Sequence, residues 1–311
     1  MFESLRAGWK LSSAVRKQVF KDKALLSYMV LSAVVILLEA AVIFGSFIFA
    51  YAPSIAASAN VASASTSPVI TWAFIGALLL FYVASSFTSA YVLLALFIAF
   101  RSYAAGNKIS LSSALVQARG YSKLLLEWAL FYSIIILVLR ILESRLRGIG
   151  AAVVGILAGV ALSIGVMFAL PVIYEKRVGP IKAMKASATT FVEHFGSSVG
   201  GIAYSDLYGL LFILIGILAF IISLSLSAGL AGSANANAGF AAILPLIVGF
   251  FVMIIFIVLG ATIASTTSNI FKLLLYDYAS GKGLPEWIDE NLVIKAVRYK
   301  KGQSPPASSS L

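Results

Sequence analysis

Few residues in this sequence are of the types that catalysis or metal binding requires. The chain has no cysteine and one histidine, His194, which excludes disulfides, thiolate nucleophiles and cysteine-based metal sites. The motifs H-E-x-x-H and G-x-x-x-x-G-K-[S/T] are also missing from the sequence. We therefore expect neither an enzymatic activity nor a cofactor, and we interpret His194 as a polar residue at a membrane interface.

Two acidic residues suggest one enzymatic alternative. Asp206 and Asp277 lie near the ends of apolar segments, and the Tyr-Asp pair at 276–277 has a faint similarity to intramembrane aspartyl proteases. Those enzymes also carry a Gly-x-Gly-Asp element, which this sequence lacks. We therefore interpret Asp277 as a residue that caps a helix end or pairs with Lys272 or Lys282.

The composition is that of a membrane protein. Of the 311 residues, 61% are hydrophobic and 11% are charged, and the mean hydropathy is +1.01. Soluble domains carry about 25% charged residues, and a membrane-spanning helix needs about 20 mostly apolar residues. The sequence therefore predicts an all-α polytopic membrane protein, with six membrane-spanning helices at approximately 24–50, 69–100, 124–143, 149–173, 203–228 and 240–277.

The positions of Lys and Arg predict the orientation of these helices. Twenty of the 23 basic residues lie before the first apolar stretch, between the second and third, between the fourth and fifth, or from the last turns of the sixth stretch onward. The opposite side has only Arg140, Arg145 and Arg147. The positive-inside rule therefore places both termini in the cytoplasm of a cell membrane, and the net charge of +11 indicates orientation rather than nucleic-acid binding. Ala57-Ser58-Ala59 resembles a signal-peptidase site, but the preceding apolar run is too long for a signal peptide.

Segments outside the spans are short, and three of them are predicted to be amphipathic helices at the cytoplasmic surface. We divide the chain into a basic amphipathic segment (1–23), a transmembrane domain (24–281), an amphipathic helix (282–301) and a disordered tail (302–311). The interfacial candidates are Ser110 to Ser122, Pro180 to Phe195 and Pro285 to Tyr299.

The segment from Pro180 has the clearest pattern. Its apolar residues share one face of a helix, and Lys182 and Lys185 lie on or beside the polar face. The pattern predicts that both lysines contact the phosphates of anionic lipids while the apolar face enters the membrane. The residues expected on that apolar face are Ile181, Met184, Ala188, Phe191, Val192 and Phe195.

Glu39 and Arg140 are two charged residues inside predicted spans that could pair with each other. Glu39 is near the middle of the first span, where a charge is costly, so we expect it to face the helix bundle and pair with Arg140 of the third span. The alternative is local, with Arg140 paired to Glu143 at i+3 and Glu39 neutral or titrating as part of a function.

Two sets of small and polar residues suggest packing or a ligand path. Ala151, Gly155, Gly159 and Ser163 recur every four residues, which predicts close packing within the bundle or a dimer seam. The second set is a polar stripe on the sixth span. Its hydroxyls bond their own helix backbone, or they form a polar wall of a permeation path or lipid-headgroup groove. The stripe consists of Thr262, Ser265, Thr266 and Asn269.

Several short sequences are similar to those of a family of uncharacterised prokaryotic multi-pass membrane proteins, defined only as a domain of unknown function. These are Lys21-Asp22-Lys23-Ala24-Leu25-Leu26, Gln117-Ala118-Arg119, Glu127-Trp128-Ala129, Leu139-Arg140-Ile141-Leu142-Glu143-Ser144-Arg145, Pro171-Val172-Ile173-Tyr174-Glu175, Val178-Gly179-Pro180-Ile181-Lys182-Ala183 and Leu275-Tyr276-Asp277-Tyr278-Ala279-Ser280-Gly281. The chain departs from the family at Asp277, where a basic residue is common, and at His194-Phe195-Gly196, where Trp-Gly is common. The resemblance implies six helices and a bacterial or archaeal cell membrane, and it implies no activity.

The sequence therefore favours a membrane-organising or accessory protein that acts through lipids, partner helices or a second copy of itself. The alternative is a small permease or channel for a solute, an ion or a lipid. A transporter is expected to have an internal repeat and broken helices near the membrane centre. Pro245 is the only proline well inside a predicted span, and no repeat is recognisable.

Overall fold

The computed structural model describes residues 2–59, 68–145, 149–194, 200–231, 238–291 and 293. All regular secondary structure in this part of the chain is helical. The helices are α1 (Phe2–Lys21), α2 (Ala24–Ala59), α3 (Pro68–Ala104), α4 (Leu111–Arg119), α5 (Ser122–Arg145), α6 (Ile149–Val166), α7 (Ala169–Lys176), α8 (Pro180–His194), α9 (Gly200–Ala231) and α10 (Ala238–Ala279).

Six helical stretches within the described residues are long and apolar enough to cross a membrane, which confirms the predicted all-α polytopic membrane fold. They match the six predicted stretches in order and approximate position. Their bounds are Ala24–Ala52, Val69–Ala104, Ser122–Arg145, Gly155–Lys176, Gly209–Leu230 and Ile243–Ala279.

The fourth stretch differs from the prediction, because a turn at residues 167–168 divides it into α6 and α7. The hydroxyl of Ser187 in α8 takes the place of a helical hydrogen bond at this point. It accepts from the backbone N–H of Phe168 at 2.9 Å and donates to the carbonyl of Ile164 at 3.3 Å. These two backbone groups would bond each other in a continuous helix. Pro171, three residues further, has no N–H to donate, so it also favours the break.

The short helices follow local capping rules. Ser110 precedes α4, and its hydroxyl accepts the backbone N–H of Ser113 at 3.2 Å, so an amphipathic helix does form within the predicted segment from Ser110. The helix predicted to begin at Pro285 begins five residues later, at Glu290. Asp289 caps this start by accepting the backbone N–H of Asn291 at 2.9 Å. Residues 292 and 294–299 of that predicted helix lie outside the described residues.

The chain divides into two compact units, Met1–Val30 with Glu193–Leu311, and Leu31–Val192. In the first unit α1 packs against α9 and α10. Leu11, Val15 and Val19 recur every four residues along α1 and are buried, so the apolar face of this amphipathic segment contacts protein. Asp22 accepts the backbone N–H of Ala24 at 3.1 Å, at the junction between α1 and α2.

In the second unit α3 has the most buried surface. Residues 92 and 94–100 of α3 are buried, and α3 contacts α4, α5 and α7. The hydroxyl of Tyr91 donates to the carbonyl of Leu115 at 2.6 Å and so connects α3 to α4. The N-terminal half of α7 is buried as well, including Val172 and Ile173.

Candidate functional site between α9 and α10

Glycines bring α9 and α10 into close contact. A Cβ atom at Gly209 would lie 2.5 Å from the Cβ of Ala264 and 2.6 Å from the carbonyl oxygen of Gly260. At Gly216 it would lie 2.9 Å from the Cβ of Phe256. These distances are shorter than van der Waals contact, so only glycine fits at this spacing of the helices. Small residues are the usual means by which membrane helices approach so closely.

Beside this contact the two helices form an open groove with a volume of about 380 Å³, which we call the α9–α10 groove. Its volume lies within the range of about 300–1,000 Å³ that is typical of ligand pockets. Apolar and small residues line one part and polar residues the other. The lining residues are Gly209, Leu210, Ile213, Ala261, Ala264, Ser265, Ser268, Asn269 and Lys272.

The four residues of the predicted polar stripe form two pairs with different surroundings in the structure. Thr262 and Thr266 are buried, and the hydroxyl of Thr266 donates to the carbonyl of Thr262 at 2.8 Å, as a hydroxyl bonding its own helix does. Ser265 and Asn269 line the α9–α10 groove instead. The amide of Asn269 donates to the Ser265 hydroxyl at 3.1 Å, and that hydroxyl lies 3.3 Å from the sulfur of Met29.

Two neighbouring hydroxyls of α10 are buried without a hydrogen-bond partner, those of Thr267 and Ser268. Only Ser268 lines the groove, and 3% of its surface is exposed. A buried hydroxyl with no partner costs about 1–3 kcal/mol, because it has lost its bonds to water and gained none. Ser268 was not identified from the sequence, although it lies between Thr266 and Asn269 of the predicted stripe, because the sequence alone does not show which hydroxyls of this polar run face the groove.

The predicted lipid-contacting helix has two distinct faces. Ala183, Ser187 and Phe191 are buried at four-residue spacing, and Ser187 is the residue that enters the α6–α7 break. Lys182 and Lys185 are both exposed, as predicted. Phe191 was predicted to contact lipid, but it is buried because it shares a face with Ser187.

Apolar residues adjoin the exposed lysines of α8. Ile181 is 69% exposed and Val192 is 61% exposed. At 100° per residue, Ile181, Val192 and Lys185 share one part of the exposed face, and Lys182 lies further around it. The face therefore grades from apolar to basic, which is the arrangement of a helix at a membrane surface. Phe195 lies outside the described residues.

Glu39 and Arg140 have separate partners in the structure. The Thr88 hydroxyl of α3 donates to Glu39 Oε1 at 2.5 Å, while Glu39 Oε2 is buried and has no partner. Arg140 donates to Glu143 at 3.0 Å, and its side chain is 68% exposed. The structure thus shows the local Arg140–Glu143 pair and not the predicted pair between helices. Thr88 was not identified from the sequence, although both it and Glu39 lie near the middle of their spans.

The four-residue stripe of α6 does not form a close helix contact in the described structure. Gly159 has open space where a Cβ would be, and Ser163 is exposed. At Gly155 a Cβ would lie 3.0 Å from a carboxylate oxygen of the Glu143 side chain rather than against a backbone. The side chain of Ala151 lies outside the described residues, and the dimer seam stays a prediction.

A polar cluster that was not predicted from the sequence connects α3 with α7. Arg101 donates to Glu175 at 2.5 Å, and both side chains are mostly buried. The Arg101 guanidinium also lies 5.1 Å from the centre of the Tyr174 ring. Arg177 follows α7 with a left-handed φ of 49°, and its guanidinium lies 4.8 Å from the Tyr121 ring. Each of these pairs joins two residues that are far apart in the sequence, so no local spacing of residues predicts them.

Of the three residues considered for catalysis, the structure describes the side chain of Asp277. Asp277 is buried near the end of α10, and its backbone carbonyl accepts the N–H of Lys282 at 2.9 Å. The side chains of Asp206 and His194 lie outside the described residues. Among those that are described, no three His, Asp or Glu side chains are placed to hold a metal ion.

Comparison with protein-family models, with curated proteins and with solved structures finds no match to this chain. The resemblance to an uncharacterised prokaryotic membrane protein family therefore stays a prediction.

Proposed function

We propose that this chain is a non-enzymatic membrane-organising or accessory protein of the cell membrane, which acts through contacts with anionic lipids or with partner helices. The observation that carries the proposal is the pair of faces on α8. One face is fixed to the protein through Ser187, while the other presents Lys182 and Lys185 beside the exposed Ile181 and Val192. A lysine near an anionic surface contributes about 1 kcal/mol.

Both termini and α8 lie on the cytoplasmic side in this proposal, because most of the basic residues flank the spans there. Reporter fusions test this orientation. Fusions after Asn107, Ser187 and Gln303 should be cytoplasmic, and those after Ser63, Gly148 and Ala234 should be external. An external reporter after Ser187 would contradict the six-span arrangement.

The lipid contact is tested with the charge-reversed variant Lys182→Glu/Lys185→Glu in vesicles of phosphatidylcholine with spin-labelled lipid. The wild type should restrict spin-labelled phosphatidylglycerol more than spin-labelled phosphatidylcholine. Reversing both charges should lower this preference by a factor of about 30, because each lysine contributes about 1 kcal/mol. The matched control is Lys182→Arg/Lys185→Arg, which keeps the charge and should keep the preference. An unchanged preference in the Glu variant would refute the role of α8.

A small permease or channel is the second candidate, and the α9–α10 groove is the observation that favours it, because a polar wall within a span is expected of a solute path. The break between α6 and α7 lies near the middle of the stretch Gly155–Lys176, where a transporter is expected to have a broken helix. Its support for transport is reduced because Ser187 already bonds two of the backbone groups that the break frees. Solute flux into vesicles containing purified protein, above that of empty vesicles, would favour this second function.

A further inference from the structure

The α9–α10 groove has the features of a binding site for a single membrane lipid. Its walls come from two adjacent helices of one compact unit, and their separation is set by glycine contacts at Gly209 and Gly260. Because those contacts leave no room for adjustment, the groove is a fixed shape rather than a gap that side chains could fill.

The groove is apolar in one part and polar in the other. Leu210 and Ile213 of α9 line it together with Ala261 and Ala264 of α10, and these residues offer an apolar surface to an acyl chain. The polar part is formed by Ser265, Ser268, Asn269 and Lys272 of α10. The separation follows the axis of α10, since the alanines come first and Lys272 comes last.

The groove residues extend from the membrane centre to the level of the headgroups, which is the depth that one lipid molecule occupies. The sixth span runs over Ile243–Ala279, so its centre is at Ala261. Lys272 is eleven residues further, about 16 Å at 1.5 Å per residue, and half of a bilayer's hydrocarbon core is about 15 Å. The apolar part of the groove then lies near the membrane centre, and Lys272 reaches the level of the headgroups.

The polar part favours an anionic headgroup. Of the described residues that line the groove, only Lys272 is charged, and its charge is positive. Ser268 adds a buried hydroxyl that bonds no other group of the protein, and Asn269 adds an amide. A phosphate oxygen accepts hydrogen bonds from groups of all three kinds.

We propose that the α9–α10 groove binds one anionic glycerophospholipid of the cytoplasmic leaflet, with its phosphate at Ser268, Asn269 and Lys272 and an acyl chain along Leu210 and Ile213. The inference rests on the proposed function, in which the protein acts through anionic lipids, and it adds a specific site in a different unit from α8. The two lipid contacts are independent, because the exposed face of α8 meets many lipids and the groove holds one.

The test is native mass spectrometry of the full chain, purified in mild detergent, stripped of lipid and then titrated with phosphatidylglycerol. The wild type should retain one phosphatidylglycerol per chain and bind phosphatidylcholine about tenfold more weakly. Soluble glycerol 3-phosphate should not compete, because it lacks the acyl chain. Competition by glycerol 3-phosphate at equal concentration would overturn the lipid assignment in favour of a soluble phosphate ligand.

Two variants and a matched control locate the site. Ser268→Ala should weaken phosphatidylglycerol retention about tenfold without lowering the unfolding temperature, because the hydroxyl it removes bonds nothing in the protein. Thr267→Val removes the neighbouring unpartnered hydroxyl, which does not line the groove, and should leave retention unchanged. Ala261→Phe introduces a ring at an exposed position in the apolar part and should abolish retention.

The inference is overturned if no phosphatidylglycerol is retained by the wild type, or if Ser268→Ala and Ala261→Phe retain it as well as the wild type does. The variant Lys182→Glu/Lys185→Glu separates this outcome from the proposed function. It should lose the general preference for anionic lipid and still retain the single bound molecule.

Discussion

The α9–α10 pair packs through glycines at which a Cβ atom would collide with the opposite helix. In contrast, α3 contacts α2 and α7 through polar and aromatic side chains. Phe44 of α2 and Phe81 of α3 have ring centres 5.3 Å apart, and the Thr88–Glu39 hydrogen bond joins the same two helices. The Arg101–Glu175 ion pair joins α3 to α7.

The difference shows two ways of holding helices together where lipid replaces water. Apolar side chains gain little by leaving lipid for protein, so association needs either close packing or hydrogen bonds. Close packing makes α9–α10 sensitive to added volume and insensitive to the loss of a polar group. The helices around α3 should show the reverse, and the three predictions below test this contrast.

The largest effect is expected from Gly209→Ala. The new methyl would lie 2.5 Å from the Cβ of Ala264, so α9 and α10 must separate, and the free energy of unfolding should fall by about 3 kcal/mol. The matched control is Gly159→Ala in α6, where nothing lies within 4 Å, and it should be neutral or stabilise by about 0.5–1 kcal/mol. Reversible unfolding in mixed detergent micelles measures both. Equal losses in the two variants would show that α9 and α10 are not in close contact.

A smaller loss, about 2 kcal/mol, is expected from Arg101→Gln, because the carboxylate of Glu175 keeps its charge in a mostly buried position and loses a charged hydrogen bond. The double variant Arg101→Gln/Glu175→Gln should recover part of the loss, since no charge is then left alone. Arg140→Gln is the control, as its pair with Glu143 is exposed and should contribute less than about 1 kcal/mol. The same unfolding titration should therefore rank Arg101 above Arg140, and the opposite order would contradict the structure.

The smallest effect is the coupling between Glu39 and Thr88. A double-mutant cycle of Glu39→Gln and Thr88→Val should give a coupling free energy of about 1 kcal/mol, as expected for a hydrogen bond between membrane helices. The parallel cycle with Arg140→Leu should give less than about 0.5 kcal/mol, because Arg140 pairs with Glu143 instead. A larger coupling of Glu39 to Arg140 than to Thr88 would contradict the structure and support the Glu39–Arg140 ion pair that was predicted from the sequence.

The spans could be predicted because their signal is local. Each of the six stretches is apolar over 20 residues or more, and no knowledge of its neighbours is needed to recognise it. The start of α4 at Ser110 could be predicted for the same reason, since capping involves residues three positions apart.

Contacts between distant segments could not be predicted in this way. The stripe at Gly155 and Gly159 has the familiar four-residue spacing, yet the close contact occurs at Gly209 and Gly216, which are seven residues apart. Seven-residue spacing marks the contact face of paired helices, so small residues at that period were the available signal. The choice of Thr88 as the partner of Glu39 had no signal at all, because hydroxyls are frequent in every span.

The insertion of Ser187 into the α6–α7 break has a thermodynamic consequence for α8. Many amphipathic segments are unfolded in water and become helical only on the lipid, so part of their binding free energy is lost in ordering the chain. Here the helix is already ordered by two hydrogen bonds to the backbone of another segment. The proposed contact with lipid therefore needs no folding of α8, and the heat capacity change expected for it reflects only the apolar area of Ile181, Val192 and their neighbours.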